Sequence, residues 1–344
     1  MNHPDRPSHD QWWQLLELAR QLKALSPWQW MYEDQIFGVE DPETGEINYA
    51  SIMGMLGEHC AIGFYLGEEA LSRYVFMQEN QEQVTPEFLL NTRQLQLSFE
   101  DRNMLRPDDY RVIKESGLKF RGRGAWPLFR SFMAGYAPWR LTADEARFMI
   151  HALPQVIDVT ERVRANPDWL GRFDEAAARL IRVSEATGDG WLWRDDWQQM
   201  AVFAPPARYA YLDEALLAHC KNLPVRRKKV EIDFFWLPMG LQDNEDERPC
   251  YPYMLLCVDA GSGIILGNSM MTIKTTWPDL LADIPNQLMH MFGRLNELPR
   301  EIRLASPLIH EYLVLLQEYL PLRLKVVPSL PGLDMARDYL FEMM

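Results

Sequence analysis

Asp233 lies in the apolar run VEIDFFWLPMGLQ, residues 230–242, where an unpaired charge is costly. A carboxylate in such a place has two uses. Neighbouring cations, backbone amides or water can satisfy it, or it can gather with other carboxylates around metal ions. In two-metal phosphoryl transfer, several carboxylates converge so that two Mg2+ or Mn2+ ions clamp the attacking and leaving oxygens. Asp334 and Asp338, near the start of the helix-like segment GLDMARDYLFEM, are the other candidates, with Arg337 between them. The helix dipole favours surface acids at that end, which explains both positions without any chemistry.

Cations supply a second kind of candidate. Lys119, Arg121, Arg123 and Arg130 stand among glycines and aromatics in GLKFRGRGAWPLFR, a composition suited to holding a phosphate or a single strand. Arg226, Arg227, Lys228 and Lys229 form an unbroken basic run that suits a nucleic-acid or protein contact, or a solvated linker. The net charge of −14 opposes broad, non-specific nucleic-acid binding, so a protein partner is favoured over nucleic acid. Glu58, His59 and Cys60 are adjacent, but neighbours along a strand point to opposite faces and would not converge. No HExxH, paired C-x-x-C or phosphate-binding loop is present. The four cysteines are scattered and read as reduced, structural residues.

The elements that must position these residues fall into two groups. In residues 1–223, an amphipathic helix ends at Pro27 and a hairpin turns at Asp41–Gly45. A strand passes through Gly67 into a helix, and Thr142 with Glu145 forms a capping box. DGWLWRDDWQQMAVFAPP reads as another strand pair, and ten of the twelve tryptophans lie in this part, mostly as core and rim. A Pro-basic seam, NLPVRRKKVE, then separates residues 224–344, whose order reads βββαβαβα. In that second part Pro285 is expected to kink the helix TTWPDLLADIPNQLMHMFGRL.

That order, with EIDFFW, LLCVDAGSGIILG and LPREIRLAS, resembles the ribonuclease H-like fold and, within it, the integrase core. The resemblance covers about the last 120 residues. It implies an α/β domain with a mixed sheet and an acidic triad taken from the first strand, the end of the fourth and the last helix. Asp233 would be the first acid and Asp334 or Asp338 the last, but Ala305 and Ser306 stand where the second belongs. Ser306 before Pro307 reads as a helix cap instead. The whole chain also resembles an uncharacterised bacterial two-domain family, through SPWQWM, TGEINYASIMG and FYLGEEAL.

These readings give an α+β domain of residues 1–223, rich in tryptophan, and a ribonuclease H-like domain of residues 224–344. The expectation is a non-catalytic binding or scaffold protein, a pseudoenzyme without cofactor. The alternative is a Mg2+- or Mn2+-dependent nuclease or integrase using Asp233 with the last-helix acids. No run approaches 18 apolar residues, so no membrane span is expected. The start, MNHPDRPSHDQWWQLLE, lacks a charged-then-apolar leader, so a cytoplasmic location is expected.

Overall fold

The computed structural model describes residues 6–79, 91–171, 178–188, 190–199 and 209–342. They divide into two compact units, one of residues 1–134 and 138–205, the other of residues 135–137 and 206–344. The seam therefore falls earlier than the expected 223/224. The cause is the helix Glu214–Lys221, whose flank brings Cys220 and Leu223 into the second core.

In the first unit, β1 (Phe37–Glu40), β2 (Ile47–Met53), β3 (Ala61–Leu66), β4 (Gln94–Glu100), β5 (Trp126–Phe132), β6 (Arg179–Thr187) and β7 (Gly190–Gln198) form one sheet. Its order is β5-β4-β3-β2-β1-β6-β7. β1 and β6 are parallel, and the other pairs are antiparallel. Alternation along the strands splits their side chains between two faces. Phe37, Val39, Ile52 and Phe64 pack against α1 (His9–Leu25) and α4 (Ala143–Ala165). Tyr49, Tyr65 and Ile181 pack with Leu71 and Tyr74 of α2 (Gly67–Glu79). α3 (Pro107–Glu115) precedes β5.

Several local signals act as read. Ser26 adopts left-handed angles before Pro27 and closes α1. Gly45, at φ 74°, closes the β1–β2 turn, and Thr142 and Glu145 form the reciprocal cap of α4. Of the expected strand pair at 189–206, only the first strand falls among the described residues. Residues 190–198 form the single strand β7, which pairs with β6 before it. Residues 200–206 lie outside the described residues.

In the second unit, β8 (Val225–Trp236), β9 (Tyr253–Asp259), β10 (Ile265–Met271), β11 (Leu298–Leu304) and β12 (Arg323–Val326) run in the order β10-β9-β8-β11-β12. β10, β9 and β8 are antiparallel neighbours, and β8, β11 and β12 are parallel. The two units are thus domains of mixed α and β content built on mixed sheets. One face of this sheet packs on α5 (Glu214–Lys221), α6 (Trp277–Ala282), α7 (Ile284–Leu295), α8 (Pro307–Leu313) and α9 (Leu316–Tyr319). The other is covered over Phe235, Leu256 and Val258 by α10 (Pro331–Glu342). Each fully buried aliphatic side chain in these cores contributes about 2 kcal/mol.

The helix expected to kink at Pro285 is instead two helices, broken at Asp283, with Pro285 in the first turn of the second. Proline there gives up no backbone bond, which costs less than a kink. The basic run is not a linker. Residues 225–229 are the exposed first half of β8, held by pairing with Leu298, Pro299 and Glu301 of β11.

Candidate functional site

Strand alternation puts Glu231, Asp233 and Phe235 on the face of β8 that α10 covers. Glu231 is the deeper carboxylate, with 1% of its surface exposed. Its Oε2 accepts the backbone N–H of Leu333 at 3.0 Å, one of the donors that the first turn of a helix leaves unpaired. Gly332 makes room for it, because a Cβ there would lie 3.1 Å from Glu231 Oε2.

Asp233 is partly buried and accepts the N–H of Phe234 at 2.9 Å. Arg337 Nη1 lies 3.6 Å from Asp233 Oδ2, and Arg337 Nη2 lies 2.9 Å from Asp334 Oδ1. One guanidinium therefore spans the two acids on which a metal site would depend. Asp338, the third candidate, is exposed on α10. At the end of β11, Ala305 offers no ligand, and Ser306 Oγ accepts Ile309 N–H as the cap of α8. Asp259, at the end of β9, is committed to its own turn through Gly261 and Ser262. Among the described residues no three His, Cys, Asp or Glu side chains are placed to hold a metal ion. This donor set does not fit two Mg2+ ions, since the shared cation already balances Asp233 and Asp334.

Burial raises the pKa of Asp233 above its ordinary value, outweighing the opposing pull of the Phe234 amide and Arg337. The folded state thus binds this proton more readily than the unfolded state. The resulting stabilisation is present at low pH and is lost as pH rises through the folded pKa. Asp233→Asn keeps an acceptor for Phe234 and removes the desolvated charge. Its melting temperature relative to wild type should therefore rise between pH 3 and pH 7. A variant that loses stability relative to wild type over that range would show that the ion pair with Arg337 dominates.

The cations fall into three places. Lys119, Arg121 and Arg123 are exposed on the loop between α3 and β5, whereas Arg130 is buried and bonded to Asp109 at 2.6 and 2.8 Å. Arg226 and Lys228 reach Glu297 at 3.5 and 3.0 Å, and Arg227 is exposed. Lys229 is aligned with Glu301, which is aligned in turn with Arg323, while Arg303 is aligned with Lys325. These residues share the α10 side of the sheet, because Arg303 is also aligned with Glu231. A bond from Arg303 at 2.8 Å, with Lys229 and Lys325 nearby, holds the Glu301 pKa below its ordinary value. Four cations around one acid make this strip basic in an acidic chain. The sequence reading reached only Lys229 of that set, because the other three are brought in by β11 and β12.

The remaining candidates do not converge. His59 lies in the turn before β3, 3.7 Å from Glu100 and 3.2 Å from Gln96. The turn, rather than a strand as expected, carries Glu58 and His59. All four cysteines are free, and burial pushes the Cys257 thiol up to about 12, in keeping with a structural role. A cavity of about 810 Å³ in the first unit, near Trp12 and Phe129, has Asp108 bound to Arg111 and Asp109 bound to Arg130. No helix among the described residues is long and apolar enough to cross a membrane.

Residues 12–182 match a family model described as a domain of unknown function, DUF7309. Residues 216–341 match a second, DUF6930. No curated protein matches the chain. The two matches, to DUF7309 and then to DUF6930, follow one another along the chain and fall largely within the first and the second compact unit.

Proposed function

We propose that this is a non-catalytic binding protein whose second domain keeps a ribonuclease H-like scaffold without its chemistry. The strand order β10-β9-β8-β11-β12, with three antiparallel strands joined to two parallel ones, supports that scaffold. The observation that carries the non-catalytic reading is Arg337, whose guanidinium lies between Asp233 and Asp334. A half-buried cation in that position does statically what metal ions do transiently in an enzyme. The surface left for binding is the strip of Lys229, Arg303, Arg323 and Lys325.

Its partner is an acidic protein segment rather than a nucleic acid. The strip contains no aromatic side chain on which bases would stack, and the charge of −14 repels a long polyanion. A fluorescent Glu/Asp-rich peptide should bind and weaken steeply with added salt. Arg323→Glu with Lys325→Glu should reduce that affinity by about ten-fold or more, at roughly 1 kcal/mol for each reversed contact. Equal binding by the reversed variant, or tighter binding of a single-stranded oligonucleotide than of the peptide, would overturn the assignment.

The alternative, a Mg2+- or Mn2+-dependent phosphoryl transferase, draws on the same two acids, Asp233 and Asp334. It requires Arg337 to leave them. Nothing in the packing of α10 against Phe235 and Leu256 favours that movement.

A further inference from the structure

β7 is the last strand of the seven-stranded sheet in its strand order. β7 pairs with β6 on one side, and among the described residues no strand pairs with its other side. Trp191, Leu192 and Trp197 along it are 37%, 58% and 43% exposed. Sheet edges of this length, roughly 30 Å, are usually blocked, because unpaired backbone groups recruit other strands. The opposite edge is blocked: Ser131 of β5 exchanges backbone bonds with Trp139 at 2.8 and 3.0 Å, and Pro127 has no N–H to offer.

The sequence of β7 is complementary to itself. Laid antiparallel on a second copy about Asp195, WLWRDDWQ sets Arg194 against Asp196 twice, once on each side of the centre. It also sets Trp193 against Trp197 twice, an aromatic cross-strand pair of the kind that stabilises sheets. The centre would place Asp195 against Asp195, a repulsive pair if both were bare. They are not. Arg162 binds Asp195 at 2.7 and 3.1 Å, Arg182 binds it as well, and these bonds lower its pKa. Trp193, Asp195 and Trp197 share the α4 face, where Trp197 already meets Trp169 edge-on at 5.8 Å. Arg194 and Asp196 share the opposite face, so charge pairing and aromatic pairing do not compete.

We infer that β7 is a homodimerisation edge, on which a second copy of this chain pairs antiparallel about Asp195 and continues the sheet through a two-fold axis. The interface is isologous, as closed two-fold dimers require. It is independent of the basic strip on the second domain, so either assignment can fail alone.

Sedimentation equilibrium on the full chain, from about 1 to 100 µM, should show a monomer–dimer equilibrium. Arg194→Asp and Asp196→Arg each place like charges opposite one another twice, and each should weaken the dimer by about ten-fold or more. The double variant Arg194→Asp/Asp196→Arg exchanges the two charges and should restore dimerisation, which a misfolded chain would not do. A wild-type monomer throughout the range would overturn the inference. So would a dimer indifferent to the single substitutions, or single defects that the double variant fails to rescue.

Discussion

Glu145→Ala should unfold the first domain at a denaturant free energy about 2–4 kcal/mol below wild type, the loss of several hydrogen bonds to one buried carboxylate, discounted because its charged partner Arg93 is more than a third exposed. Glu145 is 8% exposed, yet it gathers three donors from different elements. Its Oε1 accepts from Arg93 at 2.9 Å and from Ser131 Oγ at 2.7 Å, and its Oε2 accepts Thr142 N–H at 2.9 Å. Truncation removes the side-chain half of the α4 capping box and the link from α4 to β5 together, leaving the Thr142 Oγ1 cap in place, and it leaves Arg93 without its carboxylate. Chemical denaturation of Glu145→Ala beside Glu145→Gln separates these effects, because the amide keeps one acceptor and should recover part of the loss. A change below about 1 kcal/mol for Glu145→Ala would mean that water replaces the network at little cost.

The second large effect should come from Glu231→Ala. That substitution strips the Leu333 amide of its acceptor and leaves a space beneath α10. The expected loss is about 2–3 kcal/mol, and Glu231→Gln should be milder because it still accepts. Hydrogen exchange should report the consequence locally. In Glu231→Ala the amides of α10 should exchange faster than in wild type, while those of β1–β6 should stay protected. Uniform loss of protection across both domains would place the role of Glu231 elsewhere.

The difference between Glu231 and Asp233 shows what the sequence disclosed and what it withheld. The alternation of EIDFFW placed both acids on one face, and the ribonuclease H-like resemblance directed attention to Asp233, which it would make the first acid. Which of the two is buried depends on α10, which arrives about a hundred residues later and offers a free N–H over Glu231. The signal was present as PGLD, a glycine that admits a close neighbour at a helix start, but its target was not in the local sequence. Arg337 was visible only as a cation between two acids on one helix. Its contact with Asp233 exists because α10 packs on β8.

Local rules fared better. Thr142, Ser306 and the hairpin at Asp41–Gly45 concern atoms within a few residues, and the chain follows them. The basic run 226–229 misled for the opposite reason. Four exposed cations look like a linker in isolation, and only register with Leu298 and Pro299 makes them a strand.

Cleavage by the purified full chain bears most directly on the central claim that Asp233 and Asp334 are an ion-paired remnant rather than a metal centre. Wild type and Asp233→Asn should be incubated in Mg2+ and in Mn2+ with single-stranded DNA, duplex DNA, RNA and an RNA–DNA hybrid. The account predicts no difference between the two proteins on any substrate. Metal-dependent cleavage by wild type that disappears in Asp233→Asn would contradict it and make the second domain an enzyme.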